Sequence, residues 1–329
     1  MKFSFIILCF LFLLASICWA DSSVNSEQAA LKSFTDRAEQ GEVGAQIDLA
    51  GMYFYGIGAP QDDKLSFKWY SAAAKQGNAK AQFYVGLMYS LGKSVPQDYK
   101  EAVKWYRLAA EQGYANAQLN LGLMYYNGQG VPQDDKKAVK WFKVSAEQGD
   151  VDAQAKLGGI YYLGKGVSQD SKLAFKWSSL AAEQGNAQGQ LILGFLYSWG
   201  EGVPQDYKLA LKWFLAAAEQ GNAESLFRLG RIYYKGLGTH QDYKLAFQYY
   251  EKSALLGHVN AMGSLGGMYY QGEGCPTDNI LAYSWFSVAS AYGLESGPEL
   301  RDMVANEMTP YALDKGQQMA KEIWGLLGN

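Results

Sequence analysis

Within residues 78–113, apolar and polar positions follow a helical rhythm twice. Ala81, Val85, Met88 and Tyr89 share one face, and Ala102, Trp105 and Ala109 form a second stripe at spacings of three and four. Lys100 and Lys104 fall outside that stripe, on a face left to water. The pattern predicts two short helices joined by a loop. The first begins after Asn78, whose side chain suits the free N–H groups of a first turn, as do Asp150, Asn186 and Asn222 at equivalent positions. The second begins at Asp98 and ends in Glu111-Gln112-Gly113.

This two-helix pattern recurs every 36 residues. Trp69, Trp105, Trp141, Trp177, Trp213 and Trp285 lie on one grid, with Tyr249 in the vacant slot. Thirty-six residues also equal about ten helical turns, so a single long helix is a formal alternative. Segments such as Gly-Gln-Gly-Val-Pro-Gln-Asp at 128–134 exclude it, because a helix interior does not tolerate that backbone freedom and that loss of N–H donors. A tyrosine recurs from Tyr53 to Tyr269, followed three residues later by a glycine, Gly56 to Gly272, that suits a left-handed helix end. An aspartate recurs from Asp62 to Asp278 as the expected cap of each second helix. Gly86, Gly122, Gly158, Gly194, Gly230 and Gly266 recur inside the first helices, where glycine costs about 1 kcal/mol relative to alanine. Something must press close there, and the expected neighbour is the ring of a grid tryptophan.

Composition changes the picture at the N-terminus. Lys2 precedes an apolar run to Ala20, and Cys18-Trp19-Ala20 places small residues at the positions before a cleavage at Asp21, so residues 1–20 are expected to be a secretory signal peptide. The alternative is a retained N-terminal anchor. Cleavage leaves 28 basic and 32 acidic residues, and Cys275 as the sole thiol. No intramolecular disulfide is then available, and stability must come from a stacked core that 49% hydrophobic content supplies. The mild acidity offers no electrostatic reason to bind nucleic acid, and no second segment of the mature chain approaches membrane-spanning length.

The pattern Ala-Gln-x-x-x-Gly-x-x-Tyr, then Gly-x-Gly-Val-Pro-Gln-Asp, then Ala-x-x-Trp-(Tyr/Phe)-x-x-Ala-Ala-Glu-Gln-Gly resembles the Sel1-like repeat family, relatives of the tetratricopeptide repeats. The resemblance covers seven copies in residues 42–293. It implies an all-α, right-handed solenoid of helix-turn-helix units whose first helices line a concave surface, and a role in binding or holding proteins. The expected organisation is a signal peptide at 1–20, a capping helix at 21–41, seven repeats at 42–293 and capping helices at 294–329. Within the last segment, Thr309-Pro310 suits the start of a helix running toward Trp324. Terminal caps protect the open ends of such a stack.

Catalytic chemistry finds little support. His240 and His258 are the only histidines, neither has a metal-ligand partner at suitable spacing, and both are expected at the surface. No metal and no cofactor is expected. Ser90-Leu-Gly-Lys93 fits the Ser-x-x-Lys of serine β-lactamases, and cysteine-rich relatives of the repeat family have been linked to β-lactams; here no Lys-Thr-Gly accompanies it. Binding of a β-lactam or peptidoglycan fragment is therefore the alternative reading, and a non-enzymatic, exported binding scaffold with a protein or peptide partner is the leading one. Positions that vary between units along the first helices are the candidate contacts. In the second unit they are Tyr84, Leu87 and Leu91. In the fifth they are Ile192, Phe195 and Trp199, an apolar patch, and in the sixth Arg228, Arg231 and Lys235, a basic stripe. Such a pair of patches suits a peptide with an apolar anchor beside carboxylates, or an acidic glycan.

Overall fold

Each aspartate expected to open a second helix does so in the computed structural model, which describes residues 29–327. The expected signal peptide at 1–20 lies outside the described residues, as do residues 21–28 of the capping segment. The chain divides into two compact units, one ending at Asp150 and one beginning at Val151. The first holds α1 (residues 29–39), α2 (Val43–Tyr55), α3 (Asp63–Lys75), α4 (Ala79–Leu91), α5 (Tyr99–Glu111), α6 (Ala115–Asn127) and α7 (Asp135–Glu147). The second holds α8 (Val151–Leu163), α9 (Ser171–Glu183), α10 (Ala187–Trp199), α11 (Tyr207–Glu219), α12 (Ala223–Lys235), α13 (Tyr243–Leu255), α14 (Val259–Gln271), α15 (Asn279–Ala291), α16 (Gly297–Ala305) and α17 (Pro310–Leu327). No strand occurs among the described residues. From α2 to α7 and from α8 to α15 each helix packs on the next, and both α16 and α17 pack on α15, the solenoid arrangement in which a repeat buries its apolar faces against its neighbours.

Local chemistry sets the helix boundaries. Asp98 Oδ1 accepts the Lys100 and Glu101 N–H groups at 2.8 and 3.1 Å, and Asp62, Asp170 and Asp206 cap two N–H groups in the same way. Its own N–H donates to the Tyr89 carbonyl at 3.0 Å, a bond repeated in all seven repeats, so one aspartate and one tyrosine close each loop. The first helices end at glycines from Gly56 to Gly272 with φ between 67 and 72°, a conformation that costs other residues strain. The loop glutamine completes the end: Gln97, Gln205 and Gln241 donate to the carbonyls of Ser90, Ser198 and Tyr234 at 2.8 Å.

Five of the six recurring glycines inside the first helices do face a ring, but not that of the grid tryptophan, and Gly158 faces Ser178 instead. A Cβ on Gly86 would meet Tyr106 at 2.8 Å, one on Gly122 would meet Phe142 at 2.7 Å, and one on Gly194 would meet Phe214 at 2.4 Å. The ring belongs to the residue after the tryptophan. One residue turns a helix by about 100°, which carries this ring into the centre of the repeat and leaves the tryptophan at its edge. Tyr106, Phe142 and Phe214 are accordingly fully buried. Trp69, Trp177 and Trp285 are buried less completely, and Trp105, Trp141 and Trp213 are half-buried. The lysine before the tryptophan covers the outer face in three repeats: Lys68, Lys176 and Lys212 place Nζ 4.4, 4.8 and 4.9 Å from the ring centroids.

A polar ladder crosses this core. Gln76, at the end of a second helix, donates to Gln46 Oε1 at 2.9 Å, and the buried Gln46 amide donates to the Ala38 carbonyl. Gln112 with Gln82 and Gln148 with Gln118 repeat the pair in the first unit; Gln184 with Gln154 and Gln220 with Gln190 repeat it in the second. The sixth repeat replaces both partners at once, with Leu226 and Leu256, and the seventh does so with Met262 and Tyr292. Losing both is the tolerable change, since a lone buried amide would keep its full desolvation cost of about 1–3 kcal/mol. At the C-terminus Thr309 Oγ1 caps α17 through the Ala312 N–H, and α17 lies on α15, where Gly316 meets the Tyr283 ring.

Candidate protein-binding face

The six variable positions of α10 and α12 do not act alike. Ile192 is 2% exposed and belongs to the core with Leu193, Leu196, Ala174 and Ala182, so it is not a contact residue. Its δ-methyl points at Gly159 of α8, whose missing side chain leaves room for it. Phe195 is half-buried: its ring meets Phe214 edge-on at 5.6 Å and lies parallel to Trp199 at 5.0 Å and 3°. Trp199 is 48% exposed. The position it occupies, the last of each first helix, is solvent-facing elsewhere too, at Leu163 in the same unit. Trp199 differs from Leu163 in being part of a stack.

Tyr162 on α8 completes that stack, parallel to Phe195 at 6.0 Å and to Trp199 at 6.3 Å. It lies next to the recurring Tyr161, at a position the single-helix stripes do not include, and only packing between repeats brings it to the face. Tyrosine is doubled in the same way at 125–126, 233–234 and 269–270, so the sequence did not single it out. Burial, with the nearby Glu201 carboxylate adding to it, pushes the Tyr162 hydroxyl up to about 12.

Charge on α12 is unevenly engaged. Arg228 donates through Nε to Glu224 one turn earlier at 2.5 Å, and its guanidinium lies 4.9 Å from the Phe195 centroid and 5.7 Å from that of Trp199. Glu224 also meets His258 Nε2 at 2.8 Å. His258 is therefore not a free surface residue: Nδ1 accepts the Ala261 N–H and caps α14, Nε2–H donates to Glu224, and the ring stacks on Phe227 at 4.6 Å. Those two bonds together require the neutral tautomer protonated at Nε2. Burial pushes the Glu224 carboxyl up, and the hydrogen bonds from His258 and Arg228 outweigh it, leaving the group below the ordinary glutamate range. Arg231 and Lys235 are exposed, and neither has an ion-pair partner among the described residues. With Trp199, Arg228, Ser198 and Tyr207 they line a cavity of about 240 Å³.

Other candidate chemistry is absorbed locally. Ser90 Oγ donates to the Leu87 carbonyl at 2.8 Å and shares a hydrogen bond with the Tyr106 hydroxyl, while Lys93 Nζ lies over the Phe54 ring and 4.0 Å from Asp63. Serine and lysine of the Ser-x-x-Lys match are thus each turned to other partners. His240 is exposed in its loop. Burial raises the Cys275 thiol, whose Sγ lies 3.6 Å from the Met268 carbonyl. Among the described residues no cluster of histidine, cysteine and carboxylate is suited to a metal ion, and no helix is long and apolar enough to cross a membrane. A second recess, of about 450 Å³, opens where the glutamine ladder turns apolar, between Leu215, Leu226, Tyr249, Leu255 and Leu256.

No curated protein sequence matches the chain significantly. Among solved structures, a Sel1 repeat protein from Oxalobacter formigenes is 33% identical, with a TM-score of 0.66 over 85% of this chain and 81% of that one. A protective antigen present in uropathogenic Escherichia coli strains, which displays the same repeat fold, is 27% identical, with a TM-score of 0.54 over 89% of this chain and 86% of that one. The Sel1 repeat model matches residues 43–78, 79–114, 115–150, 151–186, 187–222, 223–258 and 259–291. Seven contiguous matches over most of the chain, on helix pairs with the geometry described, place this protein in the Sel1 repeat family.

Proposed function

We propose that this protein is a non-enzymatic interaction module, exported to the cell envelope or beyond, whose contact face is the Trp199 stack and the adjoining cations of α12. The observation that carries the reading is a half-exposed tryptophan held rigid by Phe195 and Tyr162 beside two unpaired cations, because rigid aromatics and arginines are the side chains that dominate protein interfaces. Covering the open half of Trp199 removes on the order of 100 Å² of apolar surface from water, roughly 2–3 kcal/mol. The repeat family supports a scaffold rather than a catalyst. Export rests on the leader-like residues 1–20, and the likeness to a protective antigen is in keeping with it.

A photocrosslinking side chain at position 199, activated in the native cell, tests the face, with the same group at Leu163 as its control. A discrete protein adduct from position 199 and none from 163 is expected. Equal labelling at both positions, or none at 199, overturns the proposal. Fractionation with N-terminal sequencing tests export separately, the expected mature chain beginning at Asp21.

A further inference from the structure

We infer that the cavity between Trp199 and α12 receives an extended acidic peptide segment, with two carboxylates on alternate residues meeting Arg231 and Lys235 and a neighbouring apolar side chain covering Trp199. The inference rests on the binding face proposed above and specifies its ligand.

Three features of the cavity lead to it. Arg231 and Lys235 stand four residues apart on one helix, a rise of about 6 Å, and like charges at that spacing repel one another. Neither is neutralised by the chain itself among the described residues, although Arg228, on the same helix face, is held by Glu224. Glu201, on the loop that follows α10, forms no ion pair with them, and its Oε2 is buried without a hydrogen-bond partner. The cavity therefore presents two exposed positive charges with no ion pair among the described residues, one of them over the Phe227 ring.

Spacing then selects the shape of the anion. An extended chain advances about 3.3 Å per residue, so side chains two apart project on one side at roughly 6.6 Å, close to the separation of the two cations along α12. Arginine offers a planar fork to one carboxylate and lysine a point charge to the other. Trp199 supplies the third contact, an apolar plane at the same cavity, whose tilt is set by Phe195, Tyr162 and the guanidinium of Arg228. Arg228 is thus a positioning residue, and Arg231, Lys235 and Trp199 make the contacts. Full cations rather than amide side chains line the recess with Trp199, which favours carboxylates over the hydroxyls of a neutral glycan.

Fluorescence anisotropy with the full mature chain tests this, using a labelled, blocked peptide of core Leu-Glu-Ser-Glu and its Leu-Gln-Ser-Gln counterpart. The glutamate peptide should bind at least tenfold tighter, and its affinity should fall as salt rises. Arg231→Gln and Lys235→Gln should each erase most of that preference. Trp199→Ala should weaken both peptides alike, and Leu163→Ala should change neither. Circular dichroism of each variant establishes that it is folded. Equal affinity for the two peptides, or binding of neither up to millimolar concentration, overturns the inference. So does a uronate oligosaccharide that binds in an Arg231-dependent manner where the peptide does not. A protein adduct at position 199 combined with indifferent peptides leaves the binding face standing and removes only its acidic ligand. Absence of both removes the two together.

Discussion

Both units carry an aromatic cluster on their first helices, and the two clusters end differently. In the first unit Tyr84 stacks on Tyr70 at 4.5 Å and 6°, meets Phe54 at 5.6 Å, and shares a 2.8 Å hydrogen bond with the Tyr55 hydroxyl. Burial raises the Tyr70 and Tyr84 hydroxyls well above the ordinary tyrosine value, and the cation at that cluster, Lys93, has Asp63 at 4.0 Å. In the second unit Tyr162, Phe195 and Trp199 also stack, but the outer ring is an indole with no hydrogen-bond partner among the described residues, and of the three cations lining its cavity only Arg228 has an ion pair there, Arg231 and Lys235 having none. Hydroxyl pairing lets one cluster satisfy itself. The other leaves both its apolar plane and its charge unmet, the condition in which a partner gains most.

The difference breaks most visibly if the two clusters do not share a foundation. Tyr70 and Phe214 occupy the same repeat position and are fully buried, so Tyr70→Ala and Phe214→Ala should each cost about 3–5 kcal/mol in urea unfolding. A near-neutral result for either would mean that the repeats are not built alike. Next in size is the contrast between the outer rings. Tyr84→Ala loses a stacked ring and a hydroxyl pair and should cost about 3–4 kcal/mol, whereas Trp199→Ala, which removes a ring already half in water, should cost about 1–2 kcal/mol. Equal costs would make Trp199 a structural residue and the contrast void.

Glu224 gives a smaller and pH-dependent effect. Its carboxylate lies below the unfolded value of about 4.3, so it contributes stability above that pH, and the contribution is lost as pH falls through the folded-state value. Glu224→Gln should therefore lower the unfolding free energy from urea titration at pH 7 by an amount on the order of 1 kcal/mol, and the gap from wild type should narrow toward pH 3. A gap that stays constant would assign the loss to packing. Smallest is the effect of the free cations: Lys235 ends α12, so Lys235→Gln relieves repulsion from Arg231 and loses a charge suited to the helix C-terminus, and stability should change by less than about 0.5 kcal/mol. A fall above about 1 kcal/mol would show that Lys235 has a partner within the chain.

Much of the fold was legible because repetition averages out local ambiguity. Seven aspartates at one spacing identify the caps, and the glycine three residues after each recurring tyrosine identifies the helix ends. The glycine row inside the first helices was legible as a close approach, but its partner was misplaced by one residue, since a stripe on one helix does not say which of two adjacent rings points inward. At the candidate face, Phe195, Trp199, Arg231 and Lys235 were found from their departure from the repeat. Ile192 was included through the same helical face, yet the glycine opposite it on α8 draws it into the core. Tyr162 escaped notice because it belongs to another repeat, and His258 was expected to be free at the surface because its partner Glu224 is 34 residues away.

Sequence alone determined the repeat, its two-helix unit and its capping chemistry, because those depend on interactions within a few turns of one segment, repeated until they are unambiguous. Tertiary structure decided which off-grid residues are free to meet a partner. Arg228 and Arg231 are both arginines on one face of α12, three positions apart; Arg228 pairs with Glu224 on its own helix, and packing between repeats adds Phe195 and Trp199 of α10, whereas Arg231 stays exposed with only the Phe227 ring of its own helix beside it. That distinction depends on distances between repeats, which no pattern within a single repeat encodes.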